Sequence, residues 1–290
     1  MGNTHSYLMN KKPASTFFIH ICLVIVFIVT VYPFFYILSL SVMPYENYMK
    51  TPIHLGPSGF TLMYFKQIIA DPNLPRAFFL SGVRVLVGAS LNVVNTMMCA
   101  YVLSRPQVRY RHQLSFLFLI PMYFSAGLIP YYLTIRNLGL MNTFWVMVLP
   151  GLVSSMWFFT TRATMLNYPV EILEAAHIDG AGQMRIFWKI IWPTSLPTLA
   201  TLAMMYGLGH WNEYFMTRIL VQKELWTAPV FLYSMMNSKI VLQGLGLGIR
   251  LEAQSYLSAI AACLIIPILV AYPFLQRFVI SGLTAGAVKG

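Results

Sequence analysis

Two series of polar side chains recur at helical spacing inside long apolar stretches, and they are the side chains best placed to recognise a ligand. Successive members of each series lie three or four residues apart, so each series occupies one face of a helix. The first series comprises Arg84, Gly88, Asn92, Asn95 and Cys99, and the second comprises Tyr206, His210, Glu213 and Thr217. Polar groups are costly in apolar surroundings, so both series are expected to face a cavity or a partner.

The second series suits the recognition of a sugar, because two aromatic residues and an amide lie next to Glu213. Aromatic rings stack on the apolar faces of a sugar, and amide and carboxylate groups bond its hydroxyls. Hydrogen bonding between helices is the alternative, equal in weight for Glu213 and favoured for Asn92 and Asn95. Glu213 is expected to pair with His210 or Arg218. The predicted substrate pathway comprises Tyr206, His210, Trp211, Asn212, Glu213, Thr217, Asn92 and Asn95.

The sequence offers little for other chemistry. It contains no G-x-x-x-x-G-K-[ST] loop for phosphate, no nucleophile elbow and no H-E-x-x-H pair. The histidines form no cluster with ligand spacing, so no metal site is predicted. The three cysteines, Cys22, Cys99 and Cys263, lie in apolar runs and are expected to act as small hydrophobic residues. His210 with Glu213 is the one near acid–base pair and is a weak basis for an intramembrane enzyme.

The composition indicates a membrane protein. Hydrophobic residues make up 58% of the chain and charged residues only 9%, whereas soluble domains contain about 25% charged residues. The formal net charge of +11 arises from basic residues that are scattered or lie at the ends of apolar stretches. Contact with anionic lipid explains this pattern better than nucleic-acid binding does.

Six apolar stretches are long enough to cross a bilayer, which takes about 20 residues per helix. They lie near 16–42, 82–104, 114–135, 143–163, 197–220 and 257–279. The first is too long for the core of a signal peptide and lacks a clear cleavage site, so it is expected to remain as a helix. Pro121, Pro130 and Pro150 are expected to kink the third and fourth spans. The sequence therefore predicts an all-α, polytopic membrane protein with six transmembrane helices.

Basic residues in the short loops indicate the orientation. One loop contains Arg105, Arg109 and Arg111, and the next loop, on the opposite side, contains only Arg136. The positive-inside rule then places the arginine-rich loop and both termini in the cytoplasm. Two long segments on the outer side, 44–81 and 221–256, are expected to pack as short helices over the outer mouth of the protein.

The segment 167–193 is polar and helix-forming although it lies between two apolar stretches. Pro169 suits the first turn of a helix, and the acidic residues that follow favour the positive N-terminal end. Asp179-Gly180 is expected to end this helix, since Gly tolerates the left-handed conformation. A second helix is expected to follow and to end at Pro193. The result is a short helix-turn-helix that is expected to contact something outside the membrane.

This segment resembles the coupling loop, or EAA loop, of the permease subunits of ATP-binding-cassette (ABC) importers. The residues that match the family pattern in register are Glu174, Ala175, Ala176, Asp179, Gly180, Ile190 and Pro193. Trp192 departs from the pattern, because it replaces the usual Leu with another bulky apolar residue. The resemblance implies that these seven residues and Glu171 dock a separate ATPase subunit.

The C-terminus carries a second resemblance. The run from Gly282 to Gly290 is similar to the tail of carbohydrate-importer permeases, both the maltose-type (MalG-like) subunit and the polysaccharide (LplC-like) branch. The resemblance implies that the tail reaches between the two ATPase subunits, and small residues make such a segment slim and flexible. The implied contact residues are Gly282, Leu283, Thr284, Gly286 and Lys289.

The resemblance implies a type I importer permease that forms half of a pathway for an oligo- or polysaccharide in the bacterial cytoplasmic membrane. Its implied partners are a second, related permease chain, two ATPase subunits that bind ATP and Mg, an extracytoplasmic sugar-binding protein and membrane lipid. The implied organisation is a cytoplasmic N-terminus (1–15), a permease domain (16–279) and a cytoplasmic tail (280–290). An ion-gradient-driven secondary transporter remains the alternative, although it would favour internal inverted repeats, which are not detectable here.

Overall fold

The computed structural model describes residues 13–48, 50, 56–244 and 253–287, and these are helical or irregular, with no strand among them. In chain order the α-helices are α1 Pro13–Ser41, α2 Tyr45–Tyr48, α3 Met63–Ile69, α4 Leu74–Ser104, α5 Arg111–Tyr123, α6 Leu128–Asn137, α7 Ser155–Leu166, α8 Val170–Ile178, α9 Gln183–Ile186, α10 Trp192–Thr194, α11 Leu196–Asn212, α12 Phe215–Leu220, α13 Ala228–Gly244 and α14 Ala253–Ala287. Short 3-10 helices span Phe144–Met147, Leu149–Gly151 and Lys223–Leu225, and a π-helix spans Phe187–Ile191.

Three helices are long and apolar enough to cross a membrane. They span Phe17–Ser41, Leu74–Ser104 and Gln254–Pro273 within the described part of the chain. A fourth span is possible by length and composition if Phe144–Gly151 and Ser155–Leu166, which meet at an angle of 49°, cross together. Pro150 lies in this bent pair. The structure therefore gives an all-helical membrane protein with three or four such spans.

Like the fourth, the third and fifth predicted spans are broken rather than continuous, so their prediction as single helices is wrong. The third span divides into α5 and α6, and Gly127 at the break has a φ of +83°, which favours glycine. The fifth span divides into α11 and α12 at Glu213. The Glu213 carboxylate accepts the N–H groups of Met216 at 2.6 Å and Thr217 at 3.3 Å. It thereby satisfies donors that a continuous helix would pair with carbonyl groups.

The helices divide by their contacts into two compact units. The first contains the residues up to Ala70 together with Met236–Cys263. In this unit the backbone N–H of Tyr45 donates to the hydroxyl of Tyr64 at 3.2 Å, which fixes α2 beside α3. These two helices and α13 lie in the segments 44–81 and 221–256, where helices were predicted, and their packing over the outer mouth stays a prediction. The Gly-rich run after Gly244 lies outside the described residues.

The second unit contains Asp71–Met235 and the residues from Leu264 onward. Its central element is α4, along which both α11 and α7 pack. Met97 of α4, Phe158 of α7 and Leu202 of α11 are buried in one apolar core. Ile186 and Ile191 from the segment 167–193 belong to the same core. This core therefore joins the helices that carry the two polar series to the segment that resembles a coupling loop.

The segment 167–193 forms the predicted helix-turn-helix. Its first helix is α8, and Gly180 follows with a left-handed φ of +73°, as predicted. The second helical stretch does not end at Pro193, because it continues through α10 to Thr194. Proline has no N–H to donate, and a π-helix lies directly before α10.

Candidate functional site

The two polar series face each other across α4 and α11. An ion pair joins them at one end, where Arg84 Nη2 lies 3.0 Å from Glu213 Oε2. Arg84 Nη1 also donates to Thr217 Oγ1 at 2.8 Å and to the Glu213 carbonyl at 3.2 Å, and Thr217 Oγ1 donates to Glu213 Oε2. Arg84 is only 3% exposed. A buried guanidinium requires such partners, because an unpaired charge in an apolar interior is strongly unfavourable.

The predicted partners of Glu213 are wrong. His210 Nε2 lies 2.7 Å from Asn92 Oδ1 instead, and the exposed Arg218 stacks its guanidinium 4.4 Å from the centre of the Trp226 ring. Arg84 belonged to the predicted series on α4, yet its pairing with Glu213 depends on how α4 and α11 align. Spacing within one helix does not determine that alignment.

Asn92 and His210 form the middle of the contact between the helices. Asn92 Nδ2 donates to the carbonyl of Gly151, so its Oδ1 accepts from His210. Gly88 allows the ring of His210 to approach α4 closely. A Cβ added at Gly88 would lie 2.7 Å from Cε1 and 2.8 Å from Cδ2 of that ring. Asn92 and His210 therefore form a hydrogen bond between α4 and α11. This is the interhelical role that the sequence favoured for Asn92.

Tyr206 forms the other end of the contact. Its hydroxyl lies 2.7 Å from Thr96 Oγ1 and accepts the backbone N–H of Ser154 at 3.1 Å. Sequence reasoning missed Thr96, although it lies four residues after Asn92 and so extends the same face of α4. A threonine inside an apolar run is a weak signal, because its hydroxyl can bond to its own helix.

A cavity of about 330 Å³ opens beside this row of contacts. Its polar and aromatic lining residues are Arg84, Asn92, Tyr131, Ser154, Trp157, Tyr206, His210, Glu213 and Thr217. Sequence reasoning missed Tyr131, Ser154 and Trp157, since they lie on elements without a polar series. A cavity lined by rings, hydroxyls and amides can bind a polar ligand through hydrogen bonds and stacking.

Three residues of the predicted pathway do not line this cavity. Asn95 donates to the carbonyl of Leu91 at 2.8 Å on its own helix. Trp211 donates to the carbonyl of Leu264 at 3.3 Å and packs its ring 6.2 Å from that of Phe78. Asn212 is exposed. The reason is geometric, since consecutive helical residues point in directions about 100° apart and Trp211 and Asn212 therefore leave the face of His210.

The described residues contain no group of three or more His, Cys, Asp or Glu that could hold a metal ion. Cys22, Cys99 and Cys263 are free.

Helix α8 has two different faces. Leu173 and Ala176, each 7% exposed, pack into the core of the second unit. Ile178 at the end of α8 is 87% exposed, and the exposed predicted docking residues are Glu171, Glu174, Ala175, Asp179, Gly180 and Pro193. Of the remaining two, Ala176 is buried and Ile190 is partly buried. An exposed isoleucine beside carboxylates is a surface suited to contact with another protein.

A chain of polar contacts ties α8 to the end of α4. Tyr101 donates its hydroxyl to Gln183 Oε1 at 2.7 Å, and Gln183 Nε2 lies 3.2 Å from His177 Nε2. The guanidinium of Arg105 lies 4.7 Å from the centre of the Tyr101 ring. Partial burial lowers the pKa of the Arg105 guanidinium, which still remains charged near neutral pH. The segment 167–193 is thus bonded directly to the helix that carries Arg84.

The C-terminal residues differ from their prediction. Helix α14 does not end near Val279 but continues to Ala287, so Gly282, Leu283, Thr284 and Gly286 have helical backbone. Alanine is the best helix former, and this offsets the two glycines in the run. Lys289 lies outside the described residues.

Comparison with known proteins places these features in context. No protein-family model matches the chain. The polygalacturonan/rhamnogalacturonan transport system permease protein YtcP of Bacillus subtilis is 30% identical over 269 residues, which cover 91% of this chain and 94% of YtcP. Protein LplC of the same organism is 29% identical over 277 residues, or 90% of each chain. The arabinooligosaccharides transport system permease protein AraQ of Halalkalibacterium halodurans is 29% identical over 273 residues, covering 90% of this chain and 92% of AraQ.

A solved structure shares the fold. It is the crystal structure of a bacterial ABC transporter involved in the import of the acidic polysaccharide alginate. One of its chains superposes with a TM-score of 0.81 and 24% identity, covering 92% of this chain and 98% of that chain.

Proposed function

This chain belongs to the family of ABC transporter permeases, and we propose that it forms one of the two membrane-spanning halves of an ATP-driven carbohydrate importer. Membership makes it a multi-pass membrane protein and a transport subunit rather than an enzyme, with no cofactor of its own. The observation that carries the proposal is the 30% identity to YtcP over 91% of the chain. The relatives are named for different sugars, so the proposed substrate class is an oligo- or polysaccharide.

The proposed architecture has six spans in the bacterial cytoplasmic membrane, with both termini in the cytoplasm. This six-span architecture requires three broken spans, each crossing the membrane once. They are α5 with α6, the bent pair around Leu152, and α11 with α12. Breaks of this kind are tolerated in a membrane where the freed backbone groups find partners within the protein. The Glu213 carboxylate supplies such partners at the start of α12.

The segment 167–193 is proposed to be the coupling loop, and two features support this role. Helix α8 buries Leu173 and Ala176 in the core and leaves Ile178 exposed. Tyr101 and Gln183 then bond this segment to α4. A push on α8 by an ATPase subunit would therefore move α4 as well, since packed helices shift as rigid elements. The C-terminal run from Gly282 is proposed as a second contact with the ATPase subunits.

The cavity beside Asn92, Tyr206 and His210 is proposed to belong to the sugar pathway. ATP binding would close two separate ATPase subunits, and the permease halves would rock between inward-facing and outward-facing states. A related permease chain would complete the pathway, and a sugar-binding protein would deliver the substrate from outside. ATP and Mg would be bound by the ATPase subunits alone.

Reconstitution tests this proposal against the ion-gradient alternative. The purified permease complex would be placed in proteoliposomes with the sugar-binding protein outside and ATP inside, and uptake of a labelled oligosaccharide would be measured. We expect uptake with ATP inside and none with a non-hydrolysable analogue, whatever the ion gradient. Uptake that needs a sodium or proton gradient and proceeds without ATP would establish a secondary transporter.

A further inference from the structure

We propose that the cavity of about 330 Å³ accepts an uncharged glycosyl residue, and that the Arg84–Glu213 ion pair excludes an acidic one. This inference rests on the proposed function and specifies the substrate class of its pathway. It concerns the difference between a sugar that carries a hydroxymethyl group and one that carries a carboxylate at the same carbon.

The charge lining the cavity is balanced. Among the lining residues, one guanidinium and one carboxylate carry the formal charges, and they pair with each other at 3.0 Å. His210 contributes a ring that bonds Asn92 through Nε2, and an uncharged ring can provide that hydrogen bond. A carboxylate that entered would leave water without gaining a free cation, and this loss is strongly unfavourable in low dielectric.

The two terminal nitrogens of Arg84 are not available to a substrate, and its Nε, which has no hydrogen-bond partner among the residues that the structure describes, is buried. Its two terminal nitrogens already donate to Glu213, to Thr217 Oγ1 and to the carbonyl of Met147. Arg84 is also 3% exposed. An acidic sugar could bind the guanidinium only by displacing Glu213, whose carboxylate also holds the start of α12 through Met216.

Neutral hydroxyls, in contrast, meet groups that can bond them. Tyr131 and Ser154 line the cavity, and their hydroxyls have no hydrogen-bond partner within the described part of the chain. Each can both donate and accept, as a sugar hydroxyl does. Trp157 adds an aromatic ring for stacking. The volume lies at the lower end of the usual range for ligand pockets, about 300–1,000 Å³, which suits a single sugar ring.

The experiment compares two trisaccharides that differ at that carbon, galactotriose and trigalacturonate. Met205 lines the cavity, so M205C in a background with Cys22, Cys99 and Cys263 replaced by serine gives a thiol that reports occupancy. The complete transporter in nanodiscs, without its sugar-binding protein, would be labelled with a small uncharged thiol reagent in the presence of each trisaccharide. We expect galactotriose to protect the thiol at a concentration about tenfold lower than trigalacturonate, a difference of about 1.4 kcal/mol.

Two variants assign the preference to the ion pair. E213Q leaves Arg84 without its counter-charge, so trigalacturonate should then protect about tenfold better than in the parent, because an uncompensated guanidinium attracts a carboxylate. R84Q/E213Q removes both charges and should restore the preference for galactotriose. The comparison of the two trisaccharides in the parent tests the inference by itself. The test therefore does not depend on the folding of either variant.

Specific outcomes would overturn the inference. Equal or better protection of the parent by trigalacturonate would do so, and so would an accessible M205C thiol that neither trisaccharide protects. ATP turnover by the same complex with its sugar-binding protein is measured separately. Intact turnover would leave the proposed function standing while the inference about charge fails.

Discussion

Arg84 Nη2 on α4 lies 3.0 Å from Glu213 Oε2 at the break between α11 and α12, and these two residues are 129 positions apart in the chain. The pair closes one end of the row of polar contacts between α4 and α11, and it positions the carboxylate that starts α12. Arg84 and Glu213 therefore connect the packing of the two helices with the shape of the cavity beside them.

Removing one member of this pair should destabilise the subunit strongly. E213A leaves the buried Arg84 charge without its partner, which costs about 3–5 kcal/mol. R84A leaves the Glu213 carboxylate, whose side chain is 29% exposed, and should cost less, and R84A/E213A should cost less than the sum of the two single variants. R218A is the control, since Arg218 is exposed and should contribute no more than about 1 kcal/mol. The measurement is the free energy of unfolding by SDS in mixed micelles. Additive single-variant effects would contradict direct coupling.

Gly88 should be intolerant of a methyl group. G88A places a Cβ 2.7 Å from Cε1 of His210, and this overlap should cost about 1–3 kcal/mol. G82A on the same helix is the matched control, because a Cβ at Gly82 meets nothing within 4 Å, and it should be neutral or slightly stabilising. The unfolding midpoint of each variant is compared with the parent. H210A should relieve the cost of G88A if the ring is the obstacle.

Local spacing predicted which side chains share a face of α4 or α11, and it predicted the turn at Gly180, because both depend on residues close in the chain. It did not predict that Arg84 would meet Glu213, since that contact depends on the alignment of two helices. The break at Glu213 was also missed. Apolar residues continue through Phe215 and Leu220 as they would in an unbroken span, and only the fold reveals that the carboxylate caps α12.

The turn after α8 should be sensitive to any side chain at Gly180. Gly180 has a φ of +73°, so G180A should cost about 1–2 kcal/mol of local strain and tilt α8. G182A is the control, since Gly182 has an ordinary φ of −69° and open space around it. The fraction of ATPase subunit that co-purifies with each variant is measured. We expect a clear loss for G180A, and equal retention in both variants would argue against a docking role for this turn.

Deletion of the C-terminal run should affect the ATPase contact and leave the membrane helices in place. Removing 282–290 shortens α14 only after the last predicted span, which lies near 257–279. The complex should still form, but transport or ATPase retention should fall. Deletion of 288–290 alone keeps the helical part of the run and separates its contribution from that of the last residues. Unchanged transport after the longer deletion would show that the run is dispensable.

ATP turnover by the assembled transporter tests whether the exposed face of α8 couples this permease to an ATPase. The parent and E174K are purified with their partner chains, and turnover is measured with and without oligosaccharide and sugar-binding protein. We expect turnover stimulated by sugar in the parent and its loss in E174K, with the E174K subunit still folded and inserted in the membrane. Normal sugar-stimulated turnover in E174K would contradict it.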